Sequence, residues 1–390
     1  MNFSKRIFSN MIENCRIGSI DVTFHDGVVV SKNNNDQLNK CYLRFLDDDG
    51  LKLITSEGSI GFAKGYINNK WQTKNLSDLL FFISSNREHI ESNFYGNILF
   101  KILSNLKNIF IFNSKKKSKS NIKFHYDLGN DFYSKWLDKS MTYSSALFEK
   151  NNDSLEVAQE NKYLRIIESV KEYNHKTNIV EIGCGWGGFF EQAKKSLKNL
   201  EYTGITISEK QYKFLKEKDE NINNTKFLFK DYRDLKGKFS VVISIEMFEA
   251  LGYKQWKTFF KKINEILVDG GLAIIQTITI NNKMFDNYIR TNDFIREFIF
   301  PGGLLPSPNK FKSFARNNDF ELLEEFYFGK DYAKTLNIWQ TNFNKNFEKI
   351  KNTTFDIKFK RLWNFYLSYC QAGFLSGDIS VCQYKIKKIR

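Results

Sequence analysis

Apolar residues follow two different periods along this chain, and the change of period divides it. Up to about residue 93, short apolar runs stand between clusters of Asp, Gly and Asn: Ile20-Asp-Val-Thr-Phe24, Val28-Val-Val30, Cys41-Tyr-Leu-Arg-Phe45 and Leu51-Lys-Leu-Ile54. Runs of this length between turn formers predict strands. Leu76 to Ile83 follows as a short helix, opened by Asn75 or Ser77. Residues 1–93 therefore predict a small N-terminal α+β domain. It is accessory in role, because its histidines, His25 and His89, stand apart from any catalytic group.

Between 94 and 123 the period becomes helical. Tyr95, Ile98/Leu99, Ile102/Leu103, Leu106 and Ile109/Phe110 form one apolar stripe. Seven lysines and no acid lie between Lys101 and Lys123, with a run at Lys115-Lys-Lys-Ser-Lys119. Two readings stay open. One is an interfacial anchor, each lysine adding about 1 kcal/mol near an anionic surface. The other is a connecting helix with a solvated tail.

From 124 to 390 strands alternate with helices. A helix from about Ser154 to Lys171 turns Leu155, Ala158, Ile166, Ile167 and Val170 inward. Strands end near Ile182 and span Tyr202–Ile207, Lys226–Phe229, Ser240–Ile245 and Leu272–Ile280, the last after a turn at Asp269-Gly-Gly271. A helix with Trp256, Phe259, Phe260, Ile263 and Leu267 on one face precedes that turn. The alternation predicts an α/β fold with a doubly wound, mainly parallel sheet, whose ligands sit at the carboxyl ends of the strands. Glu181, Thr206, Asp231, Glu246 and Glu249 all fall at such ends.

The stretch Ile179-Val-Glu-Ile-Gly-Cys-Gly-Trp-Gly-Gly188 organises this half. A strand turning through Gly183, Gly185, Gly187 and Gly188 into a helix brings backbone N–H groups and a positive dipole end against a ligand. The spacing is tighter than that of dinucleotide folds. The next strand ends on Thr206 and Ser208 rather than on an acid, which disfavours a nicotinamide cofactor. An S-adenosylmethionine pocket fits better, with Glu181 suited to the cationic or hydroxylated part of the ligand.

Composition narrows the partners. A formal charge of +15 points to an anionic surface, lipid or nucleic acid. Cysteines 15, 41, 184, 370 and 382 form no C-x-x-C pair, and with four scattered histidines they predict no metal site and reduced thiols in the cytoplasm. No apolar run is long enough to cross a membrane, so the expectation is a soluble or peripheral protein.

With these residues in hand, the chain resembles the cyclopropane-fatty-acyl-phospholipid synthases, S-adenosylmethionine-dependent fatty-acyl methyltransferases. The likeness spans about 121–388. It rests on His125-Tyr-Asp-Leu-Gly-Asn-Asp-Phe132, Met141-Thr-Tyr-Ser-Ser145, Glu181-Ile-Gly-Cys-Gly-Trp-Gly187, Gly204-Ile-Thr-Ile-Ser-Glu-Lys-Gln211, Met247-Phe-Glu249 and Ile299-Phe-Pro-Gly-Gly-Leu-Leu-Pro306. It implies a Rossmann-like, class I methyltransferase fold for 124–390. It also implies that Tyr143 and Ser144 lie over the cofactor and that the loop Gly183–Gly188 runs along its methionine part. Thr206, Ile207, Ser208 and Gln211 would contact ribose and adenine, with Asp231 and Tyr232 closing on the base.

The implied reaction methylates the cis double bond of an unsaturated phospholipid acyl chain. A bound bicarbonate would then remove a proton from the resulting carbocation. The matching positions are Glu249, Tyr332, the backbone of Ile278, Gln276 and Ser145. The better-known synthases have histidine in place of Gln276 and cysteine in place of Ser145, and Ala250 stands where they commonly have histidine. Loss of a different proton would give a methylene-branched chain instead of a cyclopropane. Cys370 matches a cysteine discussed as an active-site residue in the family, yet it lies on the apolar face of Phe359-x-x-Leu-Trp-x-x-Tyr-Leu-x-x-Cys370, which reads as a packed thiol. The expected partners are an unsaturated phospholipid in an anionic membrane at the inner face of the cell and, in a homodimer, a second copy of the chain. Nucleic acid is not expected. An Asn/Asp-Pro-Pro-Tyr base-methylating motif is ruled out, since the prolines are 301, 306 and 308. A non-catalytic lipid binder would leave the cofactor motifs unexplained.

Overall fold

The computed structural model describes residues 3–34, 38–94, 128–173, 178–218, 224–352 and 354–389. The predicted amphipathic segment therefore lies, Phe94 apart, outside the described residues, as do His125, Tyr126 and Asp127. The chain divides into two compact units. One holds the described residues of Met1–Phe110, Asn287–Ile299 and Asn344–Asp378; the other holds those of Ile111–Asp286, Phe300–Phe343 and Ile379–Arg390.

In the first unit a helix, Phe3–Glu13, packs with a sheet of β1 (Ile20–Thr23), β2 (Val29–Lys32), β3 (Cys41–Phe45) and β4 (Trp71–Gln72), ordered β2-β1-β3-β4. Alternation along β3 buries Cys41, Leu43 and Phe45, and Phe45 meets Phe8 and Phe24. The run Leu51–Ile54, predicted as a strand, is instead part of the helix Asp48–Ile67. Its cause is local: the Asp47 carboxylate accepts from the N–H groups of Asp49 and Gly50 and caps a helix. Leu51 and Ile54 then share one buried face at a spacing of three.

This unit is not continuous in sequence, whereas the predicted boundary near 124 was linear. Two later segments belong to it because the helix Ile357–Ser376 carries a face that suits the helices Asp48–Ile67 and Leu76–Ser85. Phe365 meets Phe62, Tyr66 and Phe294, Ser77 donates to Ser368, and Ser84 to Asp378. Cys370 lies on this helix, in the first unit.

The second unit is built on a seven-stranded sheet: β5 (Asn178–Ile182), β6 (Glu201–Thr206), β7 (Thr225–Phe229), β8 (Phe239–Ile245), β9 (Leu267–Ile280), β10 (Phe320–Tyr327) and β11 (Ile379–Lys388). The order is β10-β11-β9-β8-β5-β6-β7. Neighbours from β9 to β7 are parallel, while β11 runs antiparallel to β9 and β10. The predicted mainly parallel, doubly wound sheet is therefore observed. Val241, Val242 and Ile243 of β8 and Leu272 to Ile275 of β9 are buried, as strands covered on both faces require. Asp269-Gly-Gly271, predicted as a turn before β9, is a bulge within it: Phe239 pairs with Leu267, but Val241 pairs with Leu272. Chain order reverses between β5 and β8, which opens a crevice at their carboxyl ends.

Candidate active site

At the end of β5 the chain turns through Gly183, Gly185 and Gly187, at φ of +83°, +55° and +86°. Gly187 is the left-handed N-cap of the helix Gly188–Ser196, and no side chain caps that helix, leaving its first N–H groups for a ligand. A Cβ on Gly185 would meet nothing within 4 Å, so the loop borders open space there. At Gly188 a Cβ would lie 2.7 Å from the Tyr163 hydroxyl and 2.8 Å from Thr142 Oγ1, two groups hydrogen-bonded to each other. Trp186 Nε1 donates to Asn130 at 3.0 Å and so ties the loop to the helix Asn130–Ser134. The chemistry of this cradle, bare backbone at an uncapped helix start, fits the carboxylate end of S-adenosylmethionine.

The other residues expected at the cofactor surround the same strand ends. Thr206 Oγ1 donates to Gln211 at 2.7 Å and accepts from the Ser208 N–H, so β6 ends in a small polar knot beside Ile207. Asp231 is bound through both oxygens by Arg233, and Tyr232 is buried with a hydroxyl lacking a partner. Ser144 accepts from Lys162 Nζ at 2.6 Å. Tyr143 stands among Tyr133, Trp136 and Trp339, with centroids 5.3–5.5 Å away. Glu181 is buried, and Tyr202 of β6 donates to its carboxylate. Burial pushes it up to about 7, against the Tyr202 hydroxyl and the Lys162 charge.

Beyond β8 and β9 lies the feature that residue reading missed. Glu246 follows β8 with φ +51° and is half-buried. Its Oε1 accepts from the Ser145 N–H at 2.9 Å and the Gln276 amide at 2.7 Å, and its Oε2 accepts from the Tyr332 hydroxyl at 2.6 Å. Gln276 is held in that orientation by Gln383, which donates to its oxygen at 3.0 Å. Among the described residues, the non-glycine positions at positive φ are Asn69, Asn199, Asn224, Asp319, Met141 and Glu246. Asn and Asp tolerate that region; Met and Glu do so at a cost of about 1–2 kcal/mol. Both strained positions border this site, Met141 heading the loop that presents Tyr143, Ser144 and Ser145.

Glu249 sits one turn on. Its Oε1 accepts from the Ile278 N–H, while its Oε2 is buried without a partner. Its carbonyl accepts from Leu304 at 2.8 Å, which is how the Phe300–Pro306 stretch supports the site. Burial, then the Glu246 charge, pushes the Glu249 carboxyl up to about 8. Burial raises Glu246 too, but the Tyr332 hydroxyl, the Lys162 charge, Ser145 and Gln276 all oppose it. With more donors around it, Glu246 keeps the negative charge of the pair and Glu249 the proton. Lys162, wholly buried and donating to Ser144 and Gln159, is lowered to about 7 by burial against the charges of Glu246, Asp138 and Glu181.

Thus Tyr332, Gln276 and Ser145 converge on Glu246, Ser145 through its backbone N–H rather than through the hydroxyl that the resemblance implied. Ile278 turns to Glu249 instead, and the Ser145 hydroxyl is spent on the Ala146 carbonyl. The Cys370 thiol, in the first unit, is pushed up by burial and by Asp293, which makes it a poor nucleophile. The signal for Glu246 was present as an acid at a strand end, three residues before a second acid. Among the described residues no cluster of His, Cys, Asp and Glu could hold a metal ion.

Residues 113–384 match the mycolic acid cyclopropane synthetase family. The chain is 32% identical over 343 residues to the cyclopropane-fatty-acyl-phospholipid synthase of Escherichia coli K12, covering 87% of this chain and 86% of the relative. It is 28% identical over 344 residues to the tuberculostearic acid methyltransferase UfaA1 of Mycobacterium tuberculosis, covering 85% and 80% respectively. The structure of mycolic acid cyclopropane synthase CmaA1 complexed with SAH and CTAB superposes with a TM-score of 0.62 at 26% identity, over 69% of this chain and 98% of that one. The glycine cradle, the strand order and these likenesses agree: the chain belongs to the cyclopropane synthase family and is an S-adenosylmethionine-dependent methyltransferase.

Proposed function

We propose that this enzyme methylates the cis double bond of an unsaturated acyl chain in a membrane phospholipid and closes a cyclopropane ring. The observation that carries the reading is the pairing of an aromatic cluster with a carboxyl group whose oxygens both accept hydrogen bonds. Tyr133, Trp136, Tyr143 and Trp339 crowd together, and Trp339 also meets Tyr332, the donor to Glu246. An alkene offers no proton to a base before it reacts, so on this reading the carboxylate acts after methyl transfer rather than by activating the nucleophile. The site serves a reaction that develops positive charge on carbon: ring faces stabilise such a charge by about 0.5–2 kcal/mol each, and a carboxylate both stabilises it and accepts its proton.

The bound cofactor supplies an electrophilic methyl group on a sulfonium. The residues do the rest. The glycine cradle fixes the donor's carboxylate end, and the loop Met141–Ser145 brings Tyr143 over the crevice. The aromatic wall excludes water that would otherwise trap the cation. Bicarbonate, the base the resemblance implies, does not fit these residues, because the groups expected to hold it are already bonded to Glu246 and Glu249.

A second product is favoured by a specific observation: Gln276 and Ser145 stand where other members have histidine and cysteine. A hydride shift in the cation before the methyl group loses a proton gives a methylene branch. Two features support peripheral action at an anionic membrane: the net charge of +15 and the lysine run at 115–119. No helix among the described residues is long and apolar enough to cross a membrane.

The test incubates the protein with methyl-labelled S-adenosylmethionine and either unsaturated phospholipid vesicles or nucleic acid. Label is expected in the acyl chain. A ring survives ozone, whereas a methylene branch is cleaved by it. Label in nucleic acid, or none in lipid, refutes the reading.

A further inference from the structure

We propose that Glu246 is the built-in catalytic base of this enzyme, its carboxylate standing where a bound bicarbonate would otherwise stand. The inference rests on the alkene-methylating reading above and identifies which group completes that reaction.

Three observations carry it. First, a carboxylate and a bicarbonate are both planar anions with two oxygens free to accept hydrogen bonds. The Glu246 carboxylate takes its bonds from the side chains of Tyr332 and Gln276, two of the groups expected around the ion, and from the backbone N–H of a third expected residue, Ser145. Second, the backbone is strained to put it there: a glutamate at φ +51° is held by its surroundings, and here the side-chain bonds do the holding. Third, the neighbours sort the charges. Glu249 has the Ile278 N–H and the Thr277 hydroxyl near it and a buried oxygen with no hydrogen-bond partner, whereas Glu246 has a donor on each oxygen, and the Lys162 charge opposes its protonation. Burial raises Glu246, but its donors and the Lys162 charge oppose that and favour its ionised form over that of Glu249, as a base requires, and the residue is only half-buried.

The step balances without a further reactant. The alkene π pair forms the new C–CH3 bond as the S–CH3 pair returns to sulfur, leaving a cation on the neighbouring carbon. A Glu246 oxygen takes a proton from the new methyl group, and the freed C–H pair forms the third ring bond. Because this base is tethered, its reach decides whether the cation closes at once or shifts a hydride first.

The test uses the full chain as wild type, Glu246→Gln and Glu246→Gly, in buffer stripped of carbon dioxide and then with bicarbonate restored. Glycine suits φ +51° and opens the cradle without strain, and calorimetric binding of S-adenosylhomocysteine confirms that each variant is folded. In single turnovers on unsaturated phospholipid vesicles, the wild type should change less than about twofold on losing bicarbonate. Glu246→Gln should fall about 10²–10⁴-fold and stay low, its amide filling the cradle. Glu246→Gly should be equally slow in stripped buffer and regain rate with added bicarbonate or formate, a rescue that a merely structural role would not produce. By 13C NMR, labelled bicarbonate should bind Glu246→Gly and not wild type. A wild type that binds bicarbonate or stalls without it overturns the proposal, as does a Glu246→Gln variant near the wild-type rate. A wild type that methylates no lipid in either buffer sinks the substrate reading instead, and the NMR arm then decides whether Glu246 fills the cradle.

Discussion

Replacing Glu249 with glutamine isolates the consequence of placing two carboxylates side by side. One Glu249 oxygen accepts from the Ile278 N–H, the other is buried without a hydrogen-bond partner, and burial together with the Glu246 charge holds the group at about 8 instead of its ordinary 4.5, against Ile278 and Thr277. The native state thus keeps a proton that the unfolded chain releases. Stability from this group is whole below about 4.5, declines as pH rises, and is lost once pH passes about 8. Each pH unit between the two values is worth about 1.4 kcal/mol, so the full linkage is on the order of 5 kcal/mol. Solvent near the half-buried residue and relaxation around the ionised pair should absorb about half of it.

Glutamine copies the protonated acid: its carbonyl still accepts from Ile278 and its NH2 stands where the acid O–H stood, but it cannot ionise. The variant should therefore match wild type at pH 5 and exceed it at pH 9 by about 2–3 kcal/mol, or about 5–10 °C in unfolding midpoint for a unit of this size. Thermal unfolding followed by circular dichroism at both pH values, on the cofactor-free protein, measures this directly. Glu246, Lys162 and Tyr332 are unchanged in the comparison, so their own titrations cancel to first order. A midpoint difference that is the same at both pH values would refute the assignment of the proton to Glu249. It would also remove the reason for treating Glu246 as the ionised member.

Gly185→Val places a branched side chain where the loop now borders open space and where φ is +55°; S-adenosylhomocysteine binding should fall at least tenfold while the chain still folds, and normal calorimetric affinity would remove the cradle from the cofactor site. Lys162→Met takes away a cation that favours the ionised form of Glu246, so the acid limb of the rate–pH profile should move upward, and an unmoved limb would dissociate Lys162 from the base. Neutralising Lys115, Lys116, Lys117 and Lys119 should weaken binding to anionic vesicles at low salt, the deficit shrinking as salt screens the wild type, and equal vesicle affinity would return the segment to a solvated linker.

The fold was legible where one physical cause dominated. Parallel strands covered on both faces must be largely apolar, and β8, Phe239-Ser-Val-Val-Ile-Ser-Ile245, announced itself that way. The seven-stranded order did not, because pairing partners far apart in sequence leave no local mark; the antiparallel β11, with Val381, Cys382, Tyr384 and Ile386 buried, was not predicted at all. Leu51–Ile54 was misread for the opposite reason. Four residues cannot distinguish a period of two from a turn of helix, and the Asp47 cap that decides the matter lies outside the apolar run. The membership of Ile357–Ser376 in the first unit depends on which face meets which neighbour, and a single helix does not encode its partner.

The site shows a sharper limit. The glycine turn itself was legible from spacing, because a chain that turns at φ of +83°, +55° and +86° favours Gly183, Gly185 and Gly187. Motif correspondence also named Tyr332, Gln276 and Ser145 together, around a bound ion, and the structure brings these three residues to Glu246. Residue types specify donors; they do not specify the acceptor. The acceptor here is set by a backbone angle: at an ordinary φ a residue following β8 would send its side chain elsewhere, and the same donors would stand open to an ion from solution. At φ +51° the Glu246 side chain instead meets all three. The angle and the three bonds support each other, and no periodicity in the sequence reports either.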